Sequence, residues 1–213
     1  MLDCHTHRKA PYPLGVVNAT PGECLLPGQA YSMGLHPWYL PQDPAAALAR
    51  LALEARQEQV TAIGECGLDS RCDTPMWLQV KAFTAQVRLA EELRKPLIIH
   101  CVKTAGELLA LKRELASTVP WIIHGFRAKP TVARMLLEGG CYLSYGLRFN
   151  PDSLRLTPPE RLLAETDDDP APITAVLEAL REALAAGYCS ATEAGSLPDL
   201  IRTNTDALLA LKL

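Results

Sequence analysis

All five histidines of the 213-residue chain stand at or near the ends of short apolar runs: His5 and His7, His36, His100 and His124. None lies in a segment that reads as helix or as ordinary loop. In DCHTH, His5 and His7 are separated by one residue. Side chains along a strand alternate with period two, so both imidazoles project to one side and can grip one metal ion. Asp3 is expected on that same side, orienting a ligand through a hydrogen bond. Glu65 ends the apolar run AIGE, with Asp69 close behind. A carboxylate deep in an apolar strand is costly unless it is paired or bound to a metal. His100 in LIIHC and His124 in WIIHGF repeat the arrangement, and Glu165-Thr166-Asp167 closes the last run. One such histidine is more often a hydrogen-bonded core residue than a ligand; two IIH runs in succession argue against coincidence.

Counted together, His5, His7, Glu65, His100, His124 and Asp167 are six ligand-type residues on five expected strands. Mixed imidazole and carboxylate donors suit Zn, Mn, Fe or Ni, with Mg less favoured. Six donors exceed the needs of one tetrahedral ion, so the pattern predicts one or two divalent ions, with Glu65 bridging a pair. The chemistry would be hydrolysis by metal-activated water, with Glu65 and Asp167 as the catalytic acids and Asp167 as general base. His36, Lys103, Arg127 and Arg148, each just beyond a strand end, are candidate substrate contacts. The three basic residues read equally as solvated rim charges. Trp38 and Tyr39 read either as a stacking surface for a base or as cover for a bare barrel wall, and cover is the preferred reading.

These residues need a scaffold that gathers strand ends. Strand-like runs occupy 1–7, 15–19, 30–36, 61–68, 96–102, 121–126, 141–146 and 162–166. Helical patterns fill 43–59, 74–94, 104–116, 129–138, 172–186 and 192–211. The helix signals are Asp43-Pro44, Pro75 in a first turn, a capping box from Thr104 to Glu107, and a stop at Gly139-Gly140. Alternation of strand and helix gives an α/β class with parallel strands. Eight runs predict a (β/α)8 TIM-like barrel, whose strand C-termini meet at one rim. The gaps 8–14 and 21–29 hold four prolines and are too short or broken for helices, so the helical coat is reduced after the first two strands. Residues 1–213 read as a single domain.

Composition narrows the partners. Apolar residues make up 48% and charged residues 21% of the chain, as in soluble globular proteins. The net charge of -3 provides no global pull toward nucleic acid, so a phosphate-bearing substrate must be held locally. No apolar run reaches the ~20 residues of a membrane span, and the N-terminus does not read as a secretory signal. Seven scattered cysteines without a CxxC pair suggest reduced thiols in a cytoplasmic protein. No obligate protein partner is evident.

The motif order DCHTH, GLHPW, AIGECGLD, PLIIHC, IIHGF and LLAETDD resembles the TatD family of metal-dependent hydrolases, within the amidohydrolase-like barrels. The resemblance runs over about residues 1–170, and the 197–211 segment with Asn204 is similar to the family's final helix. It implies a deoxyribonuclease that trims 3′ ends of single strands. By the same resemblance His5, His7, Glu65 and Asp167 would hold one metal, and Glu65, His100 and His124 the second. Lys103 stands where members usually carry an arginine, and Asp167-Asp168-Asp169 replaces the usual continuation. Two other classes stay open: amidohydrolase-type cleavage of a small-molecule C–N or ester bond, for which Lys103 is a carbamylation candidate, and a non-catalytic metal-binding barrel.

Overall fold

The computed structural model describes residues 1–186 and 197–210. Eight strands pair in parallel and in chain order: β1 (Asp3–Thr6), β2 (Gly15–Ala19), β3 (Tyr31–Met33), β4 (Val60–Asp69), β5 (Leu97–Val102), β6 (Trp121–Ile123), β7 (Tyr142–Tyr145) and β8 (Leu162–Ala164). A parallel bridge between Thr6 and Asp167 brings the last strand round to the first. There the His7 N–H donates to the Asp167 carbonyl at 2.9 Å, and the Asp167 N–H to the His5 carbonyl at 3.0 Å. The result is a (β/α)8 TIM-like barrel.

The helices are α1 (Ala45–Glu54), α2 (Met76–Leu93), α3 (Ala105–Glu114), α4 (Pro130–Glu138), α5 (Pro151–Leu156), α6 (Ile173–Ala185) and α7 (Leu197–Leu209). Among the described residues no helix follows β1 or β2, as the proline-rich gaps predict. Residues 192–196 and 211 of the expected final helix lie outside the described residues. The first helix is shorter than the expected 43–59. It ends at Glu54, because the Gln59 carbonyl accepts from the Tyr31 N–H at 2.7 Å and so draws the chain into the sheet. The Thr104–Glu107 capping box does not form: the Thr104 hydroxyl donates to the Leu68 carbonyl of β4 at 2.9 Å instead.

Cys4, Val16, Ala62, Ile98, Ile122 and Leu163 come from six different strands yet form one buried cluster, joined by Leu209 of α7. Residues so distributed can meet only inside the barrel, where they form a packed floor beneath the strand ends. The other strand faces pack on the helices, with Trp121 of β6 edge-on to Phe83 of α2 at 5.3 Å between ring centres. Register shifts fall between Asp3 and Thr6 in β1 and between Ile63 and Cys66 in β4, the two strands that carry His5 and Glu65. Such bulges re-aim side chains near active sites.

Gly67 sits where β4 and β5 touch. Its φ is +147°, and a Cβ there would lie 2.0 Å from the His100 carbonyl oxygen. Backbone cannot yield as a flexible side chain can. Gly67→Ala is therefore expected to cost about 2–4 kcal/mol in a urea unfolding curve. A change under about 0.5 kcal/mol would show that the strands separate freely at this point.

Candidate metal centre

Glu65 lies at the centre of the rim. Its strand carries it, only 6% exposed, into a ring of imidazoles. Its Oε1 lies 2.7 Å from His124 Nε2, 3.0 Å from His100 Nδ1 and 3.0 Å from His36 Nε2. Its Oε2 lies 3.4 Å from His7 Nε2 and 3.5 Å from His5 Nε2. Asp167 Oδ1 faces the same two rings, at 3.5 Å from His7 and 3.6 Å from His5. All six residues named from the sequence as ligands thus converge, together with His36. The β4 backbone is braced here by Asn18 of β2, whose Oδ1 accepts from the Glu65 N–H at 3.0 Å.

Asp3 does not share the side of His5. Its two carboxylate oxygens accept from the Thr166 N–H and hydroxyl at 3.0 and 2.7 Å, and Thr6 also reaches Thr166 at 2.8 Å. The register shift in β1 breaks the simple alternation and turns Asp3 to the seam with β8. Two other carboxylates hold the outer edges of the ligand rings. Asp69 Oδ2 lies 3.0 Å from His100 Nε2, and Glu165 Oε1 lies 3.5 Å from His124 Nδ1 while accepting from the Gly125 N–H. Sequence reasoning placed Asp69 and Glu165 beside the site without giving them a role; position just past a strand end was the available signal.

The cluster fits a cation. Among the described residues His5 is fully buried with no hydrogen bond to either ring nitrogen, its Nε2 having only carboxylate oxygens at 3.5 and 3.6 Å, and His124 Nδ1 likewise forms no hydrogen bond, with Glu165 Oε1 at 3.5 Å. Buried polar atoms are rarely left so. Among the described residues three groupings offer donor atoms within 4.8 Å of one another: His5, His7 and Glu65; His5, His124 and Asp167; and His36, Glu65 and His100. His36 is distinguished by its tautomer. Its Nδ1 accepts the Trp38 backbone N–H at 3.1 Å, which leaves the ring proton on Nε2 facing Glu65.

The charges support each other. Burial would raise the Glu65 carboxyl, but His124, His100 and His36 outweigh it and hold Glu65 far below the usual carboxylate range. Burial and the neighbouring His124 oppose protonation of His5, yet Asp167 and Glu65 lift it to about 9. Burial likewise opposes protonation of His124, but Glu65 and Glu165 raise it well above the ordinary imidazole value. A metal must displace these protons. Binding to the metal-free protein should therefore release protons at pH 7, and affinity should climb as pH rises toward 9. The stability that His5 gives the metal-free fold is full below 6.5 and fades as pH rises through about 9. Calorimetric titration in buffers of different ionisation enthalpy measures the released protons; no dependence on buffer would contradict the assignment.

Beside the centre runs a cleft of about 620 Å³ whose lining includes His100, His124 and Asp167–Asp169. Lys103, Arg127 and Arg148 line it, with Arg71, and none of the first three has an ion-pair partner among the described residues. A groove of similar volume between α3 and α4, lined by Leu109 and Met135, lies away from the histidines and carries no such cluster. The acidic 167–169 segment is held from behind, since Arg8 donates to the carbonyls of Asp169, Pro170 and Ala171. Trp38 and Tyr39 do not cover the barrel wall: they are 53% and 78% exposed beside His36.

Comparison with known proteins agrees with this geometry. The chain is 38% identical over 151 residues to a protein named 3'-5' ssDNA/RNA exonuclease TatD from Rahnella sp. (strain Y9602), covering 63% of this chain and 55% of that one. It is 33% identical over 145 residues to the uncharacterized metal-dependent hydrolase YabD of Bacillus subtilis, covering 64% and 57%. The matches thus span only a little over half the length of these curated relatives. Among solved structures, YJJV, a TatD homolog from Escherichia coli, superposes with a TM-score of 0.82 at 22% identity, over 99% of this chain and 98% of that one. A TatD family hydrolase from Entamoeba histolytica gives 0.69 at 16% identity, over 86% and 75%. These two likenesses establish the fold. The profile of the family described as TatD related DNase matches residues 26–187, most of the barrel and all the rim residues beyond β2, and the chain belongs to that family.

Proposed function

We propose that this chain is a metal-dependent hydrolase that cleaves phosphodiester bonds, trimming single-stranded nucleic acid from its 3′ end. The observation that carries the reading is Glu65, a buried carboxylate ringed by five imidazoles and faced by Asp167. One or two divalent ions (Zn, Mn, Mg, Fe or Ni) bound there would acidify a water and neutralise charge on the phosphoryl oxygens. His5, His7, Glu65 and Asp167 would hold one ion; Glu65, His100 and His124 would hold the second. Asp167, with its side chain 35% exposed, accepts the proton of the attacking water as general base. With Glu65 engaged by a metal, the His36 Nε2–H that faces it at 3.0 Å would be free to donate toward a substrate oxygen, because Nδ1 is occupied by the Trp38 N–H. Lys103, Arg127 and Arg148 hold the phosphates of the strand along the cleft, Lys103 as a point charge. Names of relatives that specify ssDNA and RNA support this substrate class.

Amidohydrolase-type chemistry would place a carbamylated lysine between two metals. Here the central position is taken by Glu65, and Lys103 lines the cleft. No helix among the described residues is long and apolar enough to cross a membrane. The deciding experiment incubates the purified protein with a short single-stranded oligonucleotide and Mg or Mn, with and without EDTA. Shortened products that vanish with EDTA are expected. Inertness toward DNA, RNA and a bis-phosphodiester analogue with every divalent metal would overturn the reading.

A further inference from the structure

Two large aromatic side chains stand in water at the rim although the barrel has a full core to bury them. Trp38 is 53% exposed and Tyr39 78%. Exposed aromatic surface on a monomer is commonly a binding surface. The backbone that carries both rings is fixed, and so is the edge of Trp38. The short 3-10 turn Pro37–Tyr39 starts at Pro37, its Trp38 N–H is accepted by His36 Nδ1 at 3.1 Å, and its Tyr39 N–H by the His36 carbonyl at 3.1 Å. The Trp38 indole N–H donates to Asp69 Oδ2 at 2.7 Å, and that same oxygen lies 3.0 Å from His100 Nε2. Trp38 therefore has its edge tied to the metal centre and part of its surface open to solvent.

Placement gives the pair its meaning. The Trp38 ring lies 5.0 Å from the His36 ring and 5.6 Å from the His100 ring, while Tyr39 lies 5.5 Å from His36. The cationic cleft with Lys103, Arg127 and Arg148 also has His100 in its lining and is lined by neither aromatic residue. His100 thus stands between an aromatic patch and a basic track. A small phosphodiester would need only the basic side. A nucleotide needs both: a phosphate for the cations and a flat, apolar base for the rings.

We propose that Trp38 and Tyr39 form a stacking platform for a nucleobase next to the scissile phosphate. The chain then selects strands that carry a base there, over abasic strands or simple phosphodiesters. This inference rests on the phosphodiesterase reading above, and Trp38 is a specificity-determining residue under it. Stacking on an aromatic face is tolerant of base identity, so the platform selects for a base without choosing among them.

The test compares single-stranded oligonucleotides with and without abasic sites at the last two 3′ positions. The wild type should show KM about 5- to 150-fold higher for the abasic strand, the range that one stacked base gives. Trp38→Leu should raise KM for the base-bearing strand by a similar factor and leave KM for the abasic strand little changed. Trp38→Phe keeps an aromatic ring and loses the bond to Asp69, so it should retain most of the binding while lowering kcat. A merely structural role for Trp38 would raise KM for both strands alike, and that result overturns the proposal. A readout free of turnover uses the metal-free protein. In a Trp77→Phe background, which removes the other exposed indole, the base-bearing strand should quench tryptophan fluorescence and the abasic strand should not. Equal quenching by both strands also overturns the platform. Quenching selective for the base, with no hydrolysis of any strand by the metal-loaded wild type, would sink the phosphodiesterase reading and leave the platform standing as a nucleotide-binding site.

Discussion

Replacing Glu65 with glutamine is expected to empty the metal centre and lower oligonucleotide hydrolysis by about 10³-fold or more. The substitution is nearly isosteric, so the effect is electrostatic. A single carboxylate faces five imidazoles within 2.7 to 3.5 Å at a side chain that is 6% exposed. Its charge is held there because the histidines override the effect of burial on its pKa. An amide supplies neither that charge nor a second oxygen donor. In the metal-free protein the sign of a second effect follows. His5 and His124 are held protonated largely by carboxylates, while burial opposes their charge. Without Glu65, burial gains the upper hand and both imidazoles should titrate at lower pH. Elemental analysis of the purified variant measures the first effect, and NMR titration of the histidine ring protons the second. Metal content and rates near wild type would remove Glu65 from the centre of the mechanism.

The side chains that converge at the rim were legible because they break the apolar rule at strand ends. Glu65 after AIG, His100 after LII and His124 after WII each put a polar head at the limit of a buried run, and parallel strands gather such limits at one rim. The bare segments after β1 and β2 were legible through their prolines. What escaped depends on contacts between elements. Alternation placed Asp3 beside His5, but a register shift in β1 gives it to Thr166. The capping box at Thr104 lost its hydroxyl to the Leu68 carbonyl, a partner 36 residues away. Asp69 was visible as an acid near the site, while its partnership with Trp38 and His100 spans 31 residues in each case. The tautomer of His36 follows from a backbone N–H two residues on, which is local in sequence but depends on the turn that Pro37 begins. Trp38 and Tyr39 read as cover because bulky rings usually bury; the turn holds them outward.

Asp167→Asn should separate catalysis from metal retention, and its expected effect is a fall in kcat of about 10²- to 10⁴-fold with KM little changed. The backbone at this position has a φ of +53°, a left-handed conformation that asparagine tolerates as readily as aspartate. Hydrogen bonds in both directions, to the His5 carbonyl and from the His7 N–H, hold that backbone whatever the side chain. Global stability should therefore stay within about 0.5 kcal/mol of wild type. Burial favours the neutral acid, but the His5 ring 3.6 Å away and the charge of His124 keep the Asp167 carboxyl below its ordinary value. It is thus an anion ready to accept a proton, a capacity the amide lacks. Asparagine still offers an oxygen toward His5 and His7, and Glu65 with the histidines supplies the other donors, so metal content should be largely kept. A purely structural metal gives the opposite pattern: lower unfolding temperature, metal lost in proportion, and no turnover in the wild type to lose. Unfolding curves, elemental analysis and steady-state kinetics on the same preparation distinguish the two, since a base at Asp167 changes only the last of them strongly.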